Sequence, residues 1–173
     1  MPWTKSILAS LTFIFLACEL PEPEAIYDNP LDGGNTSSSA LVFVPEQSVT
    51  NLGGSVAVMV YAFEVTGVAG IHAQITFDAS KLEVSNVSPG SFFSDVQAPG
   101  FVWETNGSIL DIYTFYMGSD GSKDGTGPVA TIIFTSKLPG NANIDFTAQS
   151  ELRDSTDGLI QLNELGTGTV SAQ

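Results

Sequence analysis

Residues 71–78, with the sequence IHAQITFD, decide the fold class because apolar and polar side chains alternate along them without a break. A period of two places one set of side chains on each face of an extended strand. The apolar set is expected to face a core: Ile71, Ala73, Ile75 and Phe77. The polar set is expected to face outward: His72, Gln74, Thr76 and Asp78. The segment is therefore predicted to be a half-buried β-strand.

Further β-prone runs lie on both sides of this stretch. Residues 55–65 (SVAVMVYAFEV) are apolar on both faces, so that strand must be covered on both sides for part of its length. Residues 101–104 and 109–117 flank Asn106-Gly107, a dipeptide typical of hairpins because both residues tolerate positive φ. Further candidate strands lie at 129–135, 144–147, 159–162 and 167–171.

These runs predict the architecture. No apolar pattern with the helical period lasts for three turns, and turn residues separate about eight or nine short strands. The predicted fold is all-β, a single antiparallel β-sandwich of jelly-roll topology with about nine strands.

The composition indicates one folded domain whose negative charge disfavours binding to nucleic acid and other polyanions. The chain has 173 residues, with 5 Lys+Arg, 19 Asp+Glu and a formal net charge of −14. Such a surface repels phosphate, which argues against nucleic acid and against an electrostatic attraction to anionic lipid. Apolar residues make up 43% of the chain, more than acidic disordered tails contain, so most of it is expected to fold. We expect a monomer.

Catalysis is not expected from the residue inventory. The single cysteine, Cys18, excludes an intramolecular disulfide and multi-cysteine metal sites. The single histidine, His72, and the absence of a G-x-S-x-G motif argue against a Ser–His–Asp site. A glycosidase carboxylate pair would need a cleft, and the chain has no bulky insertion to form one. We therefore predict a protein that is not an enzyme and has no cofactor.

The N-terminus is predicted to direct export. An apolar run from Ile7 to Ala17 follows a single positive charge and is too short to span a bilayer. It ends at Cys18, which resembles the lipidated cysteine of a bacterial lipoprotein signal. We therefore predict a signal peptide over 1–17, a lipidated Cys18 with a flexible acidic tether over 18–40, and a folded domain over 41–173. An ordinary cleaved signal peptide followed by secretion is the alternative.

Several motifs occur in an order that resembles the cohesin family. The strand 67–77 (GVAGIHAQITF) runs into DASKLEV at 78–84 and SPGSFF at 88–93. Later, GTGPVATIIF at 125–134 is similar to the family's Gly-rich loop and following strand. DSTDG at 154–158 is similar to its closing turn. The related family-3 carbohydrate-binding modules share this sandwich and some of these patterns.

The resemblance implies a nine-stranded jelly roll without catalytic activity that holds a dockerin-bearing protein, typically an enzyme acting on polysaccharide. It also implies binding through a flat sheet face that includes the strand 71–78. The predicted contacts are the outward residues His72, Gln74, Thr76 and Asp78, which a solvated strand face would explain equally well. With the signal, this predicts an exported module, lipid-anchored to the bacterial cell envelope and in contact with membrane only through that lipid.

The alternative function is direct binding of polysaccharide. Flat aromatic rings can pack against pyranose faces, and the candidate contacts are Trp103, Tyr113 and Tyr116. Since Tyr113 and Tyr116 have opposite parity, a regular strand cannot bury both. Trp103 also fits a place in the core.

A calcium site is a further candidate. Glu151, Asp154 and Asp157 place carboxylate oxygens three residues apart, which suits Ca²⁺ in a loop. An Asp-Gly turn held by side-chain hydrogen bonds explains the same residues without a metal.

Overall fold

The computed structural model describes residues 38–94, 100–116 and 121–173, and every regular element within them is a β-strand. The strands, in chain order, are β1 (Ala40–Val44), β2 (Gln47–Thr50), β3 (Ser55–Val68), β4 (Gly70–Phe77), β5 (Leu82–Pro89), β6 (Gly100–Asn106), β7 (Ile109–Phe115), β8 (Lys123–Ser136), β9 (Gly140–Phe146), β10 (Glu151–Arg153), β11 (Leu159–Ile160), β12 (Glu164–Leu165) and β13 (Thr167–Ala172). The alternating stretch forms β4, as predicted.

The strands form two sheets. The five-stranded sheet has the order β12-β1-β3-β8-β5. The eight-stranded sheet follows the path β11-β10-β4-β9-β13-β2, and β7 and then β6 add to β4. Two pairs, β1–β12 and β13–β2, are parallel, and the others are antiparallel.

The all-β jelly-roll sandwich predicted from the sequence is confirmed. Among the described residues, nine strands have five residues or more, which matches the predicted number. The remaining four, β2, β10, β11 and β12, have two to four residues and lie at the ends of the two sheets or next to them. β11 lies within the predicted strand 159–162, and the other three are too short for an apolar pattern to indicate them.

The core lies between the two sheets and draws on both. The rings of Phe77 on β4 and Phe134 on β8 have centroids 5.9 Å apart, and those of Phe43 on β1 and Phe146 on β9 stack at 4.2 Å. All four side chains are at least nine-tenths buried. Burying a side chain of this size stabilises the fold by about 1.5–3 kcal/mol, so such contacts hold the two sheets face to face.

Strand β3 is covered on both sides for part of its length, as predicted. Val58, Val60 and Ala62 point into the main core. Phe63 is only 2% exposed although it belongs to a separate apolar cluster, with Ala40 and Val42. The apolar character of both faces of 55–65 is therefore a packing requirement.

The hairpin between β6 and β7 forms as predicted, with its turn shifted by one residue. Asn106 pairs with Ile109, so the two-residue loop consists of Gly107 and Ser108. Gly107 has a φ of 64°, a left-handed conformation that glycine adopts without a steric cost. Asn106 ends β6 instead of entering the turn.

The predicted N-terminal features fall largely outside the described residues. These include the signal peptide over 1–17, the lipidation site Cys18 and most of the tether. β1 begins at Ala40, one residue before the predicted start of the domain. In the part of the chain that the structure describes, no helix is long and apolar enough to cross a membrane.

Candidate functional site

The outer face of the eight-stranded sheet, meaning the face that points away from the core, is centred on β4. His72, Gln74 and Thr76 are half-buried on this face, and the residues between them are buried in the core. β4 pairs with β7 along one edge and with β10 and β9 along the other. The three polar side chains therefore stand among side chains from three neighbouring strands.

Asp78, the fourth predicted contact, lies one residue beyond β4 in a turn. Its carboxylate accepts a hydrogen bond from the Ser80 amide at 3.0 Å and another from the Ser80 hydroxyl, and it lies 3.5 Å from the Lys81 ammonium. The hydroxyl of Ser80 is the main cause that lowers the pKa of Asp78 below its ordinary value. Asp78 thus closes the turn into β5, and it lines a groove together with Thr76 of the β4 row and Asp145.

A hydrogen-bonded network joins β4 to its neighbours on the outer face. His72 Nε2 and Gln74 Nε2 lie 2.7 Å and 2.9 Å from the same oxygen, Asp111 Oδ1. The hydroxyl of Thr147 donates to Gln74 Oε1 at 2.8 Å. His72 and Asp111 are only 17% and 14% exposed, so solvent screens their interaction incompletely. These contacts hold the side chains at the centre of the face in fixed positions.

Asp111 is not among the site residues predicted from the sequence, although the alternation along β7 indicates which way its side chain points. Leu110 and Ile112 are fully buried, and their alternation places Asp111 on the opposite side of β7. The pairing of β7 with β4, which opposes Asp111 to Gln74, joins residues far apart in the chain. That pairing cannot be read from local periodicity.

Tyr113 is the aromatic residue at the centre of the outer face. Its ring stacks on His72, with centroids 4.3 Å apart and planes 9° from parallel. Burial is the main cause that raises the pKa of Tyr113, and the negative charges of Asp111, Glu104 and Glu151 raise it further. The phenol therefore stays neutral and offers one hydroxyl beside the His72–Asp111 pair.

The three aromatic residues proposed as sugar contacts do not share a face. Trp103 pairs with the buried Ile112 and packs against the core. Tyr116 follows the end of β7 and packs edge to face on Phe93, with centroids 5.6 Å apart. Only Tyr113 is on the outer face, so the described residues form no flat platform of these three rings. Tyr113 and Tyr116 point to opposite sides, as their opposite parity predicts.

Apolar side chains flank the network at the β6–β7 side. Val102 lies opposite Tyr113 in the register and is 56% exposed. Phe115, at the end of β7, is 37% exposed and lies beside Gly70. A groove of about 430 Å³ runs between this end of β7 and the turn after β10. The outer face therefore combines fixed polar groups with exposed apolar ones, as protein-binding surfaces do.

The residues proposed as calcium ligands are engaged by other groups. Arg153 donates to both carboxylate oxygens of Glu151, at 3.0 and 3.1 Å, and lies 3.4 Å from Asp157 Oδ1. Asp154 Oδ1 accepts hydrogen bonds from the Thr156 amide and hydroxyl and from the Gly158 amide, which lower its pKa.

Across residues 38–94, 100–116 and 121–173, no three acidic, histidine or cysteine side chains form a group that could hold a metal ion. Calcium at Glu151, Asp154 and Asp157 therefore stays a prediction that this geometry does not support. Glu151 is held by an arginine, and the Asp154–Gly158 segment is a turn held by its own side chain.

Comparison with known proteins identifies the family. A model of the cohesin domain matches residues 41–169. A search of curated proteins finds no match.

Solved structures with the same fold include three cohesins. The sixth cohesin of Acetivibrio cellulolyticus scaffoldin B, in complex with a mutant Cel5 dockerin, is 24% identical, with a TM-score of 0.64 over 79% of this chain and 99% of that one. The seventh type I cohesin of ScaB from Pseudobacteroides cellulosolvens is 16% identical, with a TM-score of 0.66 over 79% and 92%. A non-cellulosomal cohesin from the archaeon Archaeoglobus fulgidus is 18% identical, with a TM-score of 0.62 over 79% and 90%.

The family model spans the described sandwich from β1 into β13, and the sheets have the fold of these solved cohesins. Cohesin domains are non-catalytic protein-binding modules. The chain therefore belongs to the cohesin domain family and is a binding module, not an enzyme.

Proposed function

We propose that this chain, as a monomer, holds a dockerin-bearing protein through the outer face of its eight-stranded sheet. Its membership of the cohesin family carries the proposal. Structures with the same fold include complexes of a cohesin with a dockerin, one of them from Clostridium thermocellum. The partner class follows from those complexes, and the choice of face follows from the geometry of this chain.

The outer face has the features that reversible protein capture needs. The side chains at its centre are already fixed by the contacts of Asp111 with His72 and Gln74, so binding orders few of them further. Val102 and Phe115 supply exposed apolar area at one side. A partner can therefore bury apolar surface beside polar groups whose positions are already set.

Electrostatics favour a partner with cationic side chains on its contact surface. The outer face carries the carboxylates of Glu104, Asp111 and Glu151, within a chain whose net charge is −14. Arg153, a cation on the same face, is paired with Glu151. This arrangement should speed association with a basic surface and make the rate depend on salt.

The location of the module is part of the proposal. Cohesin domains are typically modules of extracellular or cell-surface proteins. The apolar run before Cys18 suits a lipoprotein signal. We propose that residues 1–17 are removed, that Cys18 carries lipid, and that 18–40 tether the domain 41–173 to the cell envelope.

The experiment that tests this function is capture of partners from the organism's own exported proteins. The chain is immobilised and incubated with secreted and envelope proteins, with calcium or with a chelator, and retained proteins are identified by mass spectrometry. Calcium-dependent retention of proteins with paired D-x-[DN]-x-[DN]-G loops supports the proposal, because dockerins fold around calcium. Retention of no such protein contradicts it, and migration in polysaccharide gels would then test direct sugar binding.

Matched variants test the choice of face. Asp111→Asn removes the charge at the centre of the network, and Glu83→Gln removes one from an exposed position on β5 in the other sheet. Calorimetry with a captured dockerin should show at least about tenfold weaker binding for Asp111→Asn, because the neutral amide holds His72 and Gln74 less firmly. A polar group left unpaired in the buried interface then costs about 1.4 kcal/mol or more. Equal affinities for the two variants would place the contact elsewhere.

A further inference from the structure

The outer face of the eight-stranded sheet lacks a side chain at Gly70, the first residue of β4. Gly70 is on the same face as His72, because alternate residues of a strand point to the same side. The register places it between Phe115 on β7 and Arg153 on β10. In the next row the side chain of His72 fills the corresponding position. The glycine therefore leaves a gap in the surface of this face.

The space above Gly70 is open. A Cβ atom built on Gly70 would lie 3.7 Å from the Cβ atoms of Phe115 and Arg153, and the described residues place no other contact within 4 Å. The ring of Phe115 leans the other way, over Gly100 of β6, where a built Cβ would lie 2.4 Å from it. The groove of about 430 Å³ that Gly70, Phe115 and Arg153 help to line thus contains a slot whose floor is the Gly70 backbone.

The groups that border the slot are held in place by their own contacts. Arg153 donates to both carboxylate oxygens of Glu151, at 3.0 and 3.1 Å, and to the backbone oxygen of Asp157, at 2.9 Å. The side chain of Phe115 is 37% exposed and rests on Gly100. A fixed guanidinium and an exposed phenyl ring are both surfaces on which a flat ring packs well.

The electrostatics of the groove select the occupant. Glu151, Asp154 and Asp157 line the groove, so an acidic side chain is repelled. These carboxylates already accept hydrogen bonds or lie against Arg153, so a lysine would lose water without gaining a free acceptor. A neutral ring meets neither penalty, and its electron-rich face attracts the guanidinium.

We propose that the slot above Gly70 receives an aromatic side chain of the dockerin-bearing partner. This inference rests on the proposed function and adds the kind of anchor that the partner carries. It makes Gly70 a residue that determines specificity, because any larger side chain there fills the slot. A partner without a ring at this position buries less apolar surface and binds more weakly.

Amide NMR of the complete chain, titrated with small probes, tests the slot without a dockerin. N-acetyltyrosine amide, N-acetylleucine amide and N-acetyllysine amide are compared at equal concentrations. We expect the tyrosine probe to shift the amide signals of Gly70 and Phe115 most, and Gly70→Val to remove those shifts. Equal shifts with the leucine or lysine probe, or no shift with any probe, would overturn the proposal.

Calorimetry with a captured dockerin tests the slot in the complex. Gly70→Val should weaken binding by about tenfold or more, and Gly70→Ala by less, because the larger side chain fills more of the slot. The built Cβ has only ordinary contacts, so both variants should fold, which urea unfolding checks. Thr76→Val, on the same face of β4 and outside this groove, is the control and should change the affinity by less than about twofold.

The outcomes separate this inference from the function on which it rests. Equal dockerin affinity for Gly70→Val and the unmodified chain overturns the slot and leaves the proposed function in place. Capture of no dockerin contradicts the proposed function, and the probe titration then decides by itself whether the slot accepts an aromatic side chain.

Discussion

Replacing Gln74 by glutamate tests whether the network on the outer face is as tightly held as its geometry indicates. The change keeps the shape of the side chain and converts its amide nitrogen, 2.9 Å from Asp111 Oδ1, into a carboxylate oxygen. A donor thus becomes a second negative charge beside the first. The hydrogen bond that Thr147 donates to Gln74 Oε1 can persist, so the change acts mainly on the contact with Asp111.

The expected loss of stability follows from these contacts. A hydrogen bond to a charged group contributes about 1.5–3 kcal/mol, and it is lost. Two unit charges about 4 Å apart repel by about 4 kcal/mol at an intermediate dielectric, although relaxation and partial solvent access reduce this. Asp111 is 14% exposed, so screening is incomplete. We expect a net loss of about 2–4 kcal/mol at pH 7, and a smaller one at pH 5, where protonation of the added carboxyl relieves the repulsion.

Urea unfolding at pH 7 and pH 5 measures the effect, and Gln47→Glu is the matched control. Gln47 lies on β2 of the same sheet and is exposed, so its replacement should change stability by less than about 0.5 kcal/mol. At a urea dependence of about 1–3 kcal/mol per M, the midpoint for Gln74→Glu should fall by about 1–2 M at pH 7. Equal losses in the two variants, or a loss at Gln74 that does not depend on pH, would refute the reasoning.

Three further predictions concern the turn after β10, the central tyrosine and the packing between strands. Asp154→Ala should weaken the fall of the urea midpoint at acidic pH, because hydrogen bonds within its loop lower the pKa of Asp154. The stability from this shift is present above about pH 4 and is lost as pH falls through the folded pKa. An unchanged acidic part of the profile would contradict this. Tyr113→Phe should remove a phenol that ionises above about pH 10 in an absorbance titration, because burial raises the pKa of Tyr113. The same shift makes the stability of the unmodified chain fall as pH rises past about 10. Loss of a phenol that ionises below about pH 10 would contradict this. Gly168→Ala should lower the free energy of unfolding in urea by about 1–3 kcal/mol, because the new Cβ would lie 2.8 Å from Ile144 Cγ1. Gly70→Ala is the control, and it should lower the free energy of unfolding far less, because its nearest contact would be at 3.7 Å.

The orientation of strands was predictable because it depends on neighbouring residues alone. Along β4 the alternation determined which side chains face the core, and each of them does so. In the same way, the two apolar faces of 55–65 indicated double coverage, which Phe63 confirms. The alternation did not predict the residue at which β4 ends. Asp78 continues the alternation in sequence, yet the chain has already turned there, because its carboxylate binds the Ser80 amide and hydroxyl.

The network at the candidate site could not be predicted, because strand pairing brings its members together. His72, Asp111 and Thr147 are far apart in sequence, and the order of strands places them around Gln74. The same limit applies to the acidic cluster. Spacing alone suggested that Glu151 and Asp157 face a common ligand, and the fold places Arg153 against both. A charge already neutralised by a neighbour is a poor cation ligand, since the cation would have to displace the guanidinium.

The internally paired outer face has a consequence for how a partner gains affinity. The central polar groups already hydrogen-bond to one another, so a partner that covers them must preserve those bonds or replace them, and either way gains little net free energy there. Val102 and Phe115 are exposed and apolar, so burying them against a partner removes apolar surface from water and contributes a net favourable free energy. Affinity should therefore depend mainly on apolar contacts beside β6 and β7. Discrimination between partners should depend on the central network, where a mismatched polar group would disturb the hydrogen bond between Asp111 and Gln74. A loss of binding from Val102→Ala that exceeds the loss from Thr76→Ala, measured against one captured dockerin, is the pattern this division requires.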